Sequence, residues 1–103
     1  MMANQEKIRI MCVDDHAIVR EGLSAIISAQ PDLTVIAEAG SGEEAIELYR
    51  QHRPDIVLMD LRLKGASGLD ATIAIRREFP RARIIMLTTY DGDEDIYRAL
   101  DAG

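Results

Sequence analysis

Three apolar runs of this chain each end in an oxygen-bearing side chain. Residues 8–13 lead into Asp14 and Asp15, residues 56–59 into Asp60, and residues 84–87 into Thr88. Apolar runs of this length between helix-like segments read as buried strands. As neighbouring parallel strands, they would bring all four side chains to one edge of one sheet. That is the edge at which open α/β sheets bind ligands. Three carboxylates gathered there repel one another. A divalent cation such as Mg²⁺, which prefers oxygen ligands, relieves the repulsion.

The rest of the chain alternates to match. After the first run, Val19, Leu23, Ile26 and Ile27 recur at helical spacing, with Gly22 among them, and Pro31 and Asp32 stop the helix. Residues 34–39 form a second, β-branched strand. Ser41 with Glu44 three residues later is a capping box opening a helix that carries Ala45, Leu48 and Tyr49 on one face and stops before Pro54. The third strand, 56–59, is followed by a loop with Gly65 and Gly68. Ser67 caps a third helix running to Phe79, and Pro80 closes it. Residues 83–87 are the fourth strand. Asp91 or Asp93 opens a last helix with Ile96, Ala99 and Leu100 together. This βαβαβαβα order with short connections implies an α/β fold, a parallel sheet with helices on both faces. Met11, Met59 and Met86 fall on strands and read as core.

A chain of 103 residues has room for one small domain. Its net charge of −6 is offset by no basic cluster, which argues against direct nucleic-acid binding by these residues. No apolar run approaches membrane-spanning length. Residues 1–7 are polar, show no signal-peptide pattern and read as a flexible lead-in. The single cysteine, Cys12, lies inside the first strand and reads as a small core residue, which suits a reducing, cytoplasmic setting.

The residues resemble a known family. Asp14-Asp15-His16, Val19-Arg20-Glu21-Gly22-Leu23, Pro54 through Leu61 around Asp60, Gly65 through Gly68, and Leu87-Thr88-Thr89 are similar to the receiver domain of bacterial response regulators. The stretch from His16 to Leu23 and residues 91–103 resemble its NarL/FixJ (LuxR-type) subfamily. The resemblance covers residues 8–103. It implies a flavodoxin-like, doubly wound sheet in three α/β/α layers with order 2-1-3-4, the family's fifth strand and fifth helix being absent from this chain.

The same resemblance implies roles. Asp60 would be the phospho-acceptor for a phosphohistidine on a sensor histidine kinase. Mg²⁺ would be held by Asp15, Asp60 and the backbone carbonyl of Arg62, with Asp14 acting through a bound water. Thr88 would place its hydroxyl on the phosphoryl group, and Arg62 and Tyr90 would tune water access. The output would be control of a DNA-binding domain not present in this chain. The family's lysine has no counterpart, since Lys7 and Lys64 are the only lysines and neither ends a late strand. Lys64 also stands where the family usually has proline. Such a domain is no enzyme beyond assisting its own phosphorylation.

Alternatives stand beside this reading. Asp14 and Asp15 could cap the first helix, and Asp is a favoured N-cap. His16 reads as an exposed helix-start residue and His52 as a solvated helix end. A module without the lysine could serve interaction or dimerisation alone. A phosphohydrolase would want a second Asp two residues after Asp60, where Arg62 stands. Finally, Arg83, Ile84, Ile85, Met86 and Leu87 would form the sheet edge, and with the following helix would favour self-association.

Overall fold

The computed structural model describes residues 7–63 and 67–87. Within them four parallel strands, β1 (Ile8–Val13), β2 (Leu33–Ala39), β3 (Ile56–Asp60) and β4 (Ile84–Leu87), stand in the order β2-β1-β3-β4. Three helices connect them: α1 (Ala17–Ser28), α2 (Gly42–His52) and α3 (Gly68–Glu78). This is the flavodoxin-like architecture and order expected. The last expected helix, at 91–103, lies outside the described residues.

One layer of core joins the sheet to α2 and α3. Met11, Val13, Val57 and Met59 meet Ala45, Tyr49, Ala71 and Ile75 there, all buried. The other layer, against α1, holds Ile10, Cys12 and Ile27, with Leu23, Leu33, Val35, Ile56 and Leu58 packed on it. Met11 and Met59 are core as expected, and Met86 is half-buried at its margin. Burial, reinforced by the charge on Glu38, pushes the Cys12 thiol up to about 11, so it behaves as an uncharged core residue.

Helix starts are legible in side-chain chemistry. Ser41 accepts a hydrogen bond from the Glu44 amide at 3.1 Å, and Ser67 accepts one from the Asp70 amide at 3.1 Å. The Glu44 carboxylate reaches back to the Gly40 amide at 2.7 Å, one residue before the position of an ordinary capping box. At the other end of α2, Arg53 takes a left-handed conformation (φ 47°) and lays its guanidinium over the Phe79 ring, 4.1 Å from the centroid.

Helix α1 departs from expectation. Ile27 and Leu23 face the sheet, but Ile26 is 66% exposed and Ile18 83%. Apolar residues line two sides of this helix, and periodicity alone does not say which side meets the sheet.

The β1–β2 pairing contains a bulge. Ile10 stands opposite Val35, yet Met11 stands opposite Ala37, leaving Ile36 as an extra residue. Beyond it, Glu38 stands opposite Cys12 and therefore on the α1 side of the sheet. With unbroken alternation it would stand opposite Val13, in the layer beneath α2 and α3.

The edge formed by β4 has Ile85 49% exposed. The expectation of self-association there also involves the following helix, which lies outside the described residues.

Candidate metal and phosphoryl site

Strands β1 and β3 are adjacent, with Val13 opposite Met59. Their ends therefore deliver Asp14, Asp15 and Asp60 to one point. These three and His16 each offer a ligand atom, all within 4.8 Å of one another. Asp14 and Asp60 are buried and Asp15 nearly so. Thr88 follows Leu87, which stands opposite Asp60; Thr88, Tyr90 and Lys64 lie outside the described residues.

Asp14 is tied down on all sides. Its amide donates to the Ala39 carbonyl at 3.0 Å, and its Oδ1 accepts from the His16 amide at 2.8 Å. Arg20, one turn into α1, donates through Nη1 to the Asp14 carbonyl. The same guanidinium lies 3.6 Å from Glu38, which accepts from the Ser24 hydroxyl at 3.0 Å. The bulge in β2 is what turns Glu38 to this side. Sequence reasoning missed this brace. Its one legible signal is an arginine four residues after His16, able to reach back over the first turn of α1.

The capping alternative for the acidic pair does not hold. His16 is the N-cap of α1, and it makes no side-chain cap bond. Asp14 instead closes a short turn onto the His16 amide.

Asp60 ends β3, and its Oδ1 accepts from the Arg62 amide at 3.1 Å. Burial raises its carboxyl above the ordinary value; the Arg62 amide opposes this, Asp14 and Asp15 add to it, and His16 opposes it. The Asp60 backbone is confined by the start of α3. Gly68 donates its amide to the Leu61 carbonyl at 3.1 Å, and a Cβ on Gly68 would lie 1.9 Å from the Asp60 carbonyl oxygen. Glycine at the first position of a helix is a weak helix former, and that oddity was the available signal.

Asp15 Oδ1 is buried and has no hydrogen-bond partner. His16 Nδ1 lies 2.9 Å from it without hydrogen-bond alignment, and a buried carboxylate oxygen beside two other carboxylates is costly unless a cation compensates it. Oxygen donors of this kind fit a hard divalent ion such as Mg²⁺.

Two open clefts, of about 420 and 410 Å³, lie at the opposite end of the strands, beside Tyr49, Phe79 and Arg81. The carboxylates border neither. Among the described residues, no helix is long and apolar enough to cross a membrane.

Comparison with known proteins agrees with this fold. Residues 10–103 match the response regulator receiver domain family. The response regulator protein VraR of Staphylococcus aureus (strain Mu3 / ATCC 700698) is 43% identical over 96 residues, covering 93% of this chain and 46% of that protein. The chain thus spans about half the length of the curated relatives it matches. A two-component response regulator of the LuxR family from Aurantimonas sp. SI85-9A1 superposes with a TM-score of 0.89 at 46% identity, covering 95% of this chain and 70% of that one. CheY in a CheX-CheY-BeF3-Mg²⁺ complex from Borrelia burgdorferi has a similar fold, with a TM-score of 0.87 at 25% identity, over 95% of this chain and 74% of that one.

Proposed function

This chain belongs to the response regulator receiver domain family, close to its LuxR and NarL members, and on that premise we propose that Asp60 accepts a phosphoryl group from a sensor histidine kinase in the cytoplasm. The observation that carries the reading is the delivery of Asp60 to the buried carboxylate cluster at the β1 and β3 ends.

A carboxylate oxygen of Asp60 attacks the phosphorus of a phosphohistidine. A P–O bond forms, the P–N bond breaks, and the electron pair returns to the imidazole nitrogen of the donor. Burial holds the Asp60 carboxyl above its ordinary value. The Arg62 amide fixes one of its oxygens. Asp15, Asp60 and the Arg62 carbonyl would hold Mg²⁺, with Asp14 acting through a water. When bound, the ion neutralises charge on the phosphoryl group in transfer. The CheY complex, which contains Mg²⁺ and a beryllofluoride, supports this part of the reading. Thr88 would hydrogen-bond the arriving phosphoryl group, and Arg62 and Tyr90 would govern water access to it. In the whole protein the phosphorylated domain would control a DNA-binding output domain. Self-association through residues 83–87 belongs to the same reading, supported by the exposure of Ile85.

The test is chemical. Incubated with acetyl phosphate and Mg²⁺, the chain should gain the mass of one phosphoryl group, and chelation of the cation should prevent it. Asp60→Asn should remove the label. Undiminished labelling of that variant would place the acceptor elsewhere.

A further inference from the structure

We propose that the cleft at the end of the strands opposite the carboxylates binds a small organic phosphate monoester, its dianionic head held by Arg81 and Arg83 and its apolar body laid against Ile8, Pro54 and Ile56. This site is separate from Asp60 and does not depend on the phosphoryl reading.

The fold gathers at this end basic side chains that are scattered in the sequence. Arg9 comes from the start of β1, Arg50 and Arg53 from the end of α2, and Arg81 and Arg83 from the chain just before β4. The first three have structural work. Arg9 donates to the carbonyls of His52 and Arg53, Arg50 pairs with Glu78 at 3.0 Å, and Arg53 covers the Phe79 ring. Arg81 and Arg83 have no hydrogen-bond or ion-pair partner among the described residues. Both line the cleft of about 420 Å³.

Their backbone is fixed. Ala82, between them, is buried in the core, and the two arginines are exposed on either side of it. The Ala82 amide donates to the Phe79 carbonyl at 3.0 Å, closing a turn with Pro80 at its second position. The Arg83 carbonyl accepts from the Val57 amide at 2.9 Å, which ties the segment to β3. Two cations presented from an anchored segment lose little freedom when a ligand arrives.

The rest of the cleft sets the class of ligand. Ile8 begins a core strand yet is 41% exposed, and Pro54 and Ile56 stand with it in the wall. An apolar wall beside a cationic head suits an anion that carries an apolar body. The volume is near the lower end for small-molecule sites, which fits a small ligand rather than a segment of chain. One guanidinium fork fills both oxygens of a carboxylate, whereas a phosphate monoester has three terminal oxygens and can serve two forks. Asp55 also lines the cleft and repels an anion. Its Oδ2 accepts from the Arg9 amide at 2.8 Å, so its work is to fasten β1 to the start of β3.

Phenyl phosphate is the probe, titrated into the isotope-labelled chain and followed by amide NMR, with chelator present to keep cations from the carboxylates. Saturable shifts should centre on the amides of Ile8, Ile56 and Ala82. Arg81→Gln and Arg83→Gln are exposed changes that should leave the melting temperature unaltered. Each should weaken binding about tenfold, the low end for hydrogen bonds to a charged group. Asp55→Asn, which keeps an acceptor for the Arg9 amide, should tighten it. Inorganic phosphate, without the apolar body, and benzoate, without the third oxygen, should both bind more weakly than phenyl phosphate. Absence of saturable shifts, shifts confined to the carboxylate end, or affinity indifferent to both arginine changes would overturn the proposal. Inorganic phosphate binding as tightly as the ester would reduce the site to a surface ion contact, and benzoate binding as tightly would remove the claim to phosphate; either result overturns it.

Discussion

Replacing Gly68 by alanine is expected to destabilise the fold by about 3 kcal/mol, the upper end for an overpacked site, and to disable Asp60 with it. The added carbon would meet the Asp60 carbonyl oxygen at 1.9 Å and the Leu61 Cα at 2.9 Å. Both are backbone atoms at the end of β3, so no side chain can swing aside. Relief requires α3 to retreat from the strand or the strand end to move, and either shift displaces the Asp60 carboxylate from Asp14 and Asp15. Denaturant melts of the variant, with phosphodonor labelling of the folded fraction, measure the two effects separately. Parent-like stability would mean that the approach of α3 to β3 is looser than described.

The second large effect joins pH to the cation. Asp60 keeps its proton to higher pH in the folded chain than in the unfolded one. In the window from its ordinary value of 3.8 upward to its folded value, the folded state binds more protons, so stability falls as pH rises. Above that window the full penalty of the ionised, buried carboxylate is present. Without divalent cation at neutral pH, Asp60→Asn should therefore melt higher than the parent, and its advantage should shrink as the pH is lowered toward roughly 4. Mg²⁺ should reverse the ranking. At a hundred times its dissociation constant a native-state ligand stabilises by about 2.7 kcal/mol, and the parent has the ligands for it. Thermal melts at several pH values, with chelator and with Mg²⁺, give the four comparisons. A variant less stable than the parent in chelator, or equal gains from Mg²⁺ in both, would contradict this account.

Much of this site was legible in the chain because its chemistry sits at the ends of strands, and strands announce themselves by apolar runs. Once the runs before Asp14 and Asp60 are parallel neighbours, the meeting of their carboxylates follows. The capping serines were legible for a similar reason, since Ser41 and Ser67 act on amides three residues away. The outward turn of Ile26 was not, because α1 carries apolar residues on two sides and the choice between them is made by the sheet. Nor was the turn of the His16 ring onto two carboxylates, or the service of Gly68 to a strand distant in sequence. These depend on which backbones approach one another, and one-dimensional periodicity does not record that. Thr88 and Tyr90 remain expectations from the resemblance alone.

The surplus residue in β2 has a consequence for how length varies in this strand. Ile36 adds one position against β1, and the count on its far side is what keeps Glu38 in reach of Arg20. A relative lacking one residue between positions 35 and 37 would lose the bulge but keep the far side in phase, so its acid would still meet the arginine that braces Asp14. A relative of equal length with a flattened bulge would turn that acid into the layer of Met11 and Val13. A gap here is thus silent for the site, whereas an ungapped alignment can hide the loss of its brace. In this strand, odd and even carry more functional information than residue similarity does.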